Sequence, residues 1–205
     1  MIKTQKYYDF LDLFEQDDCP LCLMRKKWAD EFIDAFLYEG VNDKNFRKII
    51  RDNGGICRKH AYDMMAQGDP LAHAILYNDL IGDYLKNIDA KKKKGCLICS
   101  KEEEADTIMY KAFMEYFSYD KDFYNKFAET KSCICRPHLK ELKRMFKKNK
   151  DLIDGLYEVQ IENLKVAKEH LEEIMRKHDY RYNNEQLTDD ERLAWKRAVK
   201  LMVGK

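Results

Sequence analysis

An all-α fold is predicted by three features of this 205-residue sequence. Only 3 prolines and 8 glycines interrupt it. Apolar residues recur at three- and four-residue intervals among charged ones, the period of a helix and not the alternation of a half-buried strand. The breaks that do occur carry cap chemistry: Gly68 ends one helical pattern, Asp69 and Pro70 suit the N-cap and first turn of the next, and Thr188 with Glu191 forms a capping box.

In chain order, the segment from Leu21 to Tyr38 reads as a long helix with Leu21, Met24, Trp28, Phe32 and Phe36 on one stripe. A helix starting at Pro70 is expected to turn Tyr77, Leu80, Ile81, Tyr84, Leu85 and Ile88 inward, and the run "KKKKG", Lys91 to Gly95, reads as its solvated end, where cations complement the helix dipole. Asp151 to His178 reads as a long helix burying Ile153, Leu156, Tyr157, Leu164, Leu171, Ile174 and Met175. After the capping box comes a short terminal helix with Leu193, Ala194, Ala198 and Leu201 inward. The aromatic stripes are core surface in this reading, not a cofactor box.

Internal repetition organises the first two thirds of the chain. "AFL" at Ala35 returns as "AFM" at Ala112, and "DKNF" at Asp43 returns as "DKDF" at Asp120. "CPLC" (Cys19, Cys22) returns as "CLIC" (Cys96, Cys99), and "ICRKH" (Cys57, His60) returns as "ICRPH" (Cys135, His138). The expected architecture is two tandem copies of a helical unit, approximately 8–84 and 85–165, and a helical tail, 166–205, together forming a single domain, 1–205.

Each copy opens with C-x-x-C and closes with C-x-x-H. A tetrahedral metal takes four ligands, and a Cys or His pair three apart at a helix start shares a face and supplies two of them. The expected grouping is therefore Cys19, Cys22, Cys57 and His60 in one site and Cys96, Cys99, Cys135 and His138 in the other. Pro20 after Cys19, and the breaks before both C-x-x-H pairs, place the ligands at helix N-termini, where unpaired N–H groups favour negative charge. Cys133, standing where the first copy has Gly55, reads as a small buried residue, and His73, His170 and His178 read as ordinary helix histidines.

Zinc, two ions per chain, is the expected metal, and an iron–sulfur cluster with mixed Cys/His ligation is the alternative. C-type haem attachment fails because Leu23 and Ser100 stand where a His must follow. A thioredoxin-like pair lacks its strands.

The 38 Lys and Arg against 37 Asp and Glu leave a net charge of +1, which argues against a nucleic-acid binder. The basic run Lys140, Lys143, Arg144, Lys147 and Lys148 reads as a solvated helix face. With no apolar leader or span, a cytoplasmic protein without a membrane partner is expected, and seven cysteines in a reducing compartment point to metal rather than disulfides. No nucleophile elbow, phosphate loop or H-E-x-x-H appears. The functional expectation is a zinc-stabilised scaffold or interaction module for a protein or small-molecule partner, with iron–sulfur or thiol-based redox and electron transfer as the alternative.

The paired "CPLC … GICRKH" and "CLIC … CICRPH" motifs, with the tail "DYRYNNE … ERLAWKRAVKLMVGK", resemble a bacterial domain family of unknown function whose members share C-P-x-C, G-[FI]-C-x-x-H and a W-K-R-A-like C-terminus. The resemblance covers nearly the whole chain. It departs at Leu97, where the first copy has Pro20, and at Cys133, where the pattern has Gly. Sequences of this kind are sometimes labelled transporter substrate-binding proteins, a role that the start of this chain, with no export signal, does not support. The resemblance implies the duplicated helical architecture and brings no established activity.

Overall fold

The computed structural model describes residues 2–16, 18–86, 88–89, 95–182 and 184–204. Helices make up the regular structure among them: α1 (Gln5–Phe14), α2 (Pro20–Tyr38), α3 (Lys44–Asp52), α4 (Arg58–Gln67), α5 (Pro70–Lys86), α6 (Leu97–Tyr119), α7 (Lys121–Glu129), α8 (Arg136–Met145), α9 (Lys150–Lys177) and α10 (Asp189–Val203), with short 3-10 turns at Gly40–Asn42 and Tyr180–Tyr182. No helix among the described residues is long and apolar enough to cross a membrane. Lys91 to Lys94, expected as the solvated end of a helix, lie outside the described residues.

The chain divides into two compact units that cut across the repeat copies: one takes residues 1–24 and 108–205, the other 25–107. In the first, α1 places Tyr7, Phe10 and Phe14, each at most 2% exposed, against Phe113 of α6 and Phe123 and Phe127 of α7. The rings meet largely edge to face, as Phe14 and Phe123 do at 5.0 Å and 69°, the arrangement the ring quadrupoles favour. Burying each side chain contributes about 2–3 kcal/mol. Asp120 caps α7 by accepting the Phe123 N–H at 2.9 Å, and the Tyr7 hydroxyl donates to the same oxygen at 3.1 Å. The long and terminal helices appear as expected, within one or two residues, and the Thr188–Glu191 capping box is formed.

In the second unit, Ile33, Phe36, Leu37, Val41, Ile50, Met64, Leu76 and Ile98 form the core. Asp43 caps α3 as Asp120 caps α7, which is what "DKNF" and "DKDF" encode. Arg47 and Arg51 both reach Asp79 of α5, at 2.8 and 2.6 Å.

The faces of three helices differ from expectation. α5 buries Ala72 and Leu76 and packs Leu80 on the core, whereas Ile81, Tyr84, Leu85 and Ile88 are more than half exposed. Of the expected stripe, Tyr77 thus packs on the core together with Leu80, and the part from Ile81 onward faces outward. α10 likewise buries Ala194, Arg197 and Leu201 but leaves Leu193 outside. α9 buries Ile153, Leu156, Val159, Gln160 and Ala167, while Leu164 and Met175 are exposed.

Candidate metal centres

The ligand pairs begin four helices. Cys57 and Cys135 are the N-cap residues of α4 and α8, in extended backbone conformation, and His60 and His138 follow three residues on. Cys19 and Cys96 precede α2 and α6 in the same way, their carbonyls accepting the N–H groups of Leu23 and Ser100. An N-cap and the third helical residue project to the same side of the first turn, and the free N–H groups there favour thiolate.

One group consists of Cys19, Cys22, Cys135 and His138, all buried. His138 Nδ1 lies 3.5, 3.4 and 3.2 Å from the three sulfurs, and the Cys22 and Cys135 sulfurs are 3.6 Å apart. The strand-like approach to Cys135 is clamped by α9: Gln160, 1% exposed, both accepts from the Ile134 N–H and donates to its carbonyl at 2.9 Å. Asn163 donates to the carbonyls of Thr130 and Ser132. After α10, Gly204 brings its backbone over the sulfurs with φ of 78°, and a Cβ added there would sit 3.4 Å from Cys135 Sγ and 3.8 Å from Cys22 Sγ.

The other group consists of Cys57, His60, Cys96 and Cys99. His60 Nδ1 lies 3.3, 3.5 and 3.4 Å from the sulfurs, and those of Cys57 and Cys99 are 3.7 Å apart. Here the ring's far nitrogen has a carboxylate partner: His60 Nε2 is 3.1 Å from Glu102, which is 2% exposed and also receives Arg25 at 2.9 Å and Lys59 at 3.0 Å. These cations hold the Glu102 carboxyl below its usual range against the opposing effect of burial. Such a carboxylate fixes the ring orientation and its tautomer, Nε2 protonated and Nδ1 free to bind metal. Cys57 and Cys99 are partly exposed, unlike any sulfur of the first group.

The grouping expected from the sequence is corrected by this arrangement. Cys19 and Cys22 meet Cys135 and His138, not Cys57 and His60, and Cys96 and Cys99 meet Cys57 and His60. Each C-x-x-C is completed by the C-x-x-H of the other copy. The reason lies in the helices that follow the ligands: α2 has 19 residues and α6 has 23, so the chain leaves each C-x-x-C along a rod of roughly 28 to 34 Å before it can turn.

The donor set fits one tetrahedral ion. With metal–sulfur bonds of about 2.3 Å and metal–nitrogen bonds of about 2.0 Å, a tetrahedron has S···S edges of about 3.8 Å and S···N edges of about 3.5 Å. The observed edges, 3.6 and 3.7 Å between sulfurs and 3.2 to 3.5 Å to nitrogen, are close to these. Burial drives the Cys19 thiol well up, while hydrogen bonds from Cys135 and Cys19 hold Cys22 far down; His138, although burial opposes its charge, is raised to about 9 by Cys135 and Cys22. In the second group burial and the Cys57 sulfur push Cys99 up to about 12, and Cys96, despite burial, drops to about 7 through hydrogen bonds from Cys57 and Cys99.

Cys133 is in neither group. It is 3% exposed, packs with Ala167 and Leu201, and burial lifts its thiol to about 11, so it is an inert core residue. Among non-glycine described residues only Asp69 has positive φ, so Cys133 does not repeat the left-handed conformation of Gly55, φ 89°. His73, His170 and His178 are likewise outside both groups. Sequence reasoning missed Glu102, Gln160 and Gly204. Glu102 carried a faint signal, since it stands three residues after Cys99 on the same face of α6.

Residues 8–94 and 83–205 each match a family of unknown function, DUF6062. An uncharacterized 23.9 kDa protein from the xynA 3′ region of Caldicellulosiruptor sp. (strain Rt8B.4) is 36% identical over 205 residues, covering 95% of this chain and 98% of that protein. No solved structure matches the chain.

Proposed function

The chain belongs to the DUF6062 family, and on that footing we propose that it is a zinc protein whose two ions staple helix N-termini together, leaving outward helix faces to act as a scaffold or interaction module. The observation that carries this reading is the compactness of each donor set: every ligand atom lies within 4.8 Å of the others in its group. Four protein ligands around one ion leave no position for water, and closed sites of this kind are structural. The ion's binding energy then becomes folding energy, on the order of 10 kcal/mol per site. Outward apolar residues on α10, Trp195, Val199 and Met202, support an interaction role.

A polynuclear iron–sulfur cluster spreads its thiolates over several metal atoms, and the closeness of these donors to one another supports a single ion in each group. A single iron ion would have similar edges, so spectroscopy decides between the metals. The deciding measurement is metal and sulfide content with a visible spectrum, on protein purified without oxygen. A colourless preparation with two zinc ions per chain supports the reading; a coloured one carrying iron overturns it.

A further inference from the structure

The outward face of α5 carries a pattern that its inner packing does not use. Leu71, Ala74, Asn78, Ile81 and Leu85 stand three and four residues apart in strict alternation, Ile88 continues the series just beyond the helix, and all six are exposed. This is the spacing of a coiled-coil seam, with Leu71, Asn78 and Leu85 at its a positions and Ala74, Ile81 and Ile88 at d. A solvated helix face looks different. On α9, Glu162 pairs with Lys165 and Lys168 with Glu172 along the exposed side.

The e and g positions that flank the seam, Pro70, Ile75, Tyr77, Gly82 and Tyr84, are also uncharged. The chain as a whole is 37% charged, so composition does not account for the gap. The acidic residues of α5 lie on its other side, where Asp79 takes Arg47 and Arg51 and Asp83 takes Arg51. Tyr62 and Met65 of α4 widen the patch, since they line a cleft together with Pro70 and Tyr77. With Leu71, Ile81, Tyr84, Leu85 and Ile88 they are large apolar residues, each more than half exposed. Each leaves on the order of 100 Å² open, and together they leave roughly 700 Å². That exceeds the roughly 300–600 Å² of the largest patch on an ordinary monomer and approaches the roughly 800 Å² that each partner buries in a stable complex.

We propose that this face of α5 is a homodimer interface, in which the α5 helices of two copies pair in parallel about a twofold axis. Charges beside the seam are what select a foreign helix, and here there are none, whereas an uncharged seam meets its own copy without repulsion. Asn78 sets the direction. As the one polar residue of the seam, at an a position, it meets its counterpart in parallel, in-register pairing, where the two amides can hydrogen-bond; antiparallel pairing would set each against an Ile81. The inference rests on the interaction-module reading, for which it names the partner, and does not depend on which metal is bound.

The test is sedimentation of the full-length, metal-loaded protein from about 1 to 100 μM, with metal content measured on the same samples. A dimer with a dissociation constant below about 10 μM is expected. Ile81→Lys and Ile81→Glu, both at an exposed position, should each weaken it at least about 30-fold while helicity and metal content stay unchanged. An equimolar mixture of the two variants should dimerise again, because in the parallel pair residue 81 faces its own counterpart. A monomer throughout the concentration range, a higher oligomer, a dimer indifferent to Ile81→Lys, or a mixture that stays monomeric each overturns the proposal. So does a dimer lost through Trp195→Glu but not through Ile81→Lys, which would move the interface to α10. A failure of the zinc reading would appear in the metal content and not in the sedimentation.

Discussion

The sulfurs of Cys22 and Cys135 lie 3.6 Å apart, although 113 positions separate the two residues in the chain. This contact distinguishes crossed ligation from ligation within each copy. The double variant Cys22→Ser/Cys135→Ser is expected to lose one metal ion and Cys22→Ser/Cys57→Ser to lose both. Ligation within each copy requires the opposite result. Native mass spectrometry counts the ions directly.

Glu102→Gln should weaken metal at Cys57, His60, Cys96 and Cys99 by about 10–100-fold, because the carboxylate that orients His60 is lost. The other site has no part in that contact and should keep its affinity. Competition with a graded chelator, read as two release steps, checks both halves of the expectation.

Cys133→Gly should retain two ions and lower stability by about 1–2 kcal/mol, through lost packing against Ala167 and Leu201 and added backbone freedom. In the unaltered protein this thiol, raised to about 11, should resist alkylation at neutral pH while the fold is intact. Denaturant titration and mass-mapped labelling give the two readouts.

What was legible in the chain was whatever is local. Asp43 and Asp120 announce helix starts, Thr188 and Glu191 announce another, and the eight ligand positions stand out because a spacing of three brings side chains together within one turn. Which pair meets which was not legible. Both pairings satisfy the same spacings, and the choice is made by the lengths of α2 and α6, which no ligand motif encodes. Burial on α5 was legible only in part for a related reason: Tyr77 and Leu80 pack on the core, whereas Ile81, Tyr84 and Leu85 further along lie outside, and no spacing rule says where along a helix its packing stops.

Asp120→Ala should cost about 1–2 kcal/mol at neutral pH by uncapping α7. The Phe123 N–H, then Lys3 and Tyr7, hold the Asp120 carboxyl below its usual value in the folded protein. Its stabilisation is therefore complete above the unfolded value near about 4 and disappears as pH falls through the lower folded value. The stability gap between Asp120→Asn and the unaltered protein should close in the same direction. Comparing the two at each pH removes the acid loss of metal that they share.

Gly204→Ala should hasten metal release from the Cys19, Cys22, Cys135 and His138 site alone. Its φ of 78° disfavours a side chain by about 1 kcal/mol, and the new Cβ would abut Cys135. Chelator-driven release, followed in parallel with the Glu102 variant, should show the two substitutions acting on different steps.

Crossed ligation also sets an order of events during synthesis. His60 is made 36 residues before Cys96, an interval of roughly 2–7 s at ribosomal speeds of about 5–20 residues per second. Throughout that time the one full set of donors on the growing chain is Cys19, Cys22, Cys57 and His60, which is the wrong one. A helix forms within about a microsecond. Once α2 has formed, the chain beyond Tyr38 must double back along its roughly 28 Å before Cys57 can reach Cys19. The helix that made the pairing unreadable is thus also the feature that keeps a newborn chain from capturing its metal in the wrong hands.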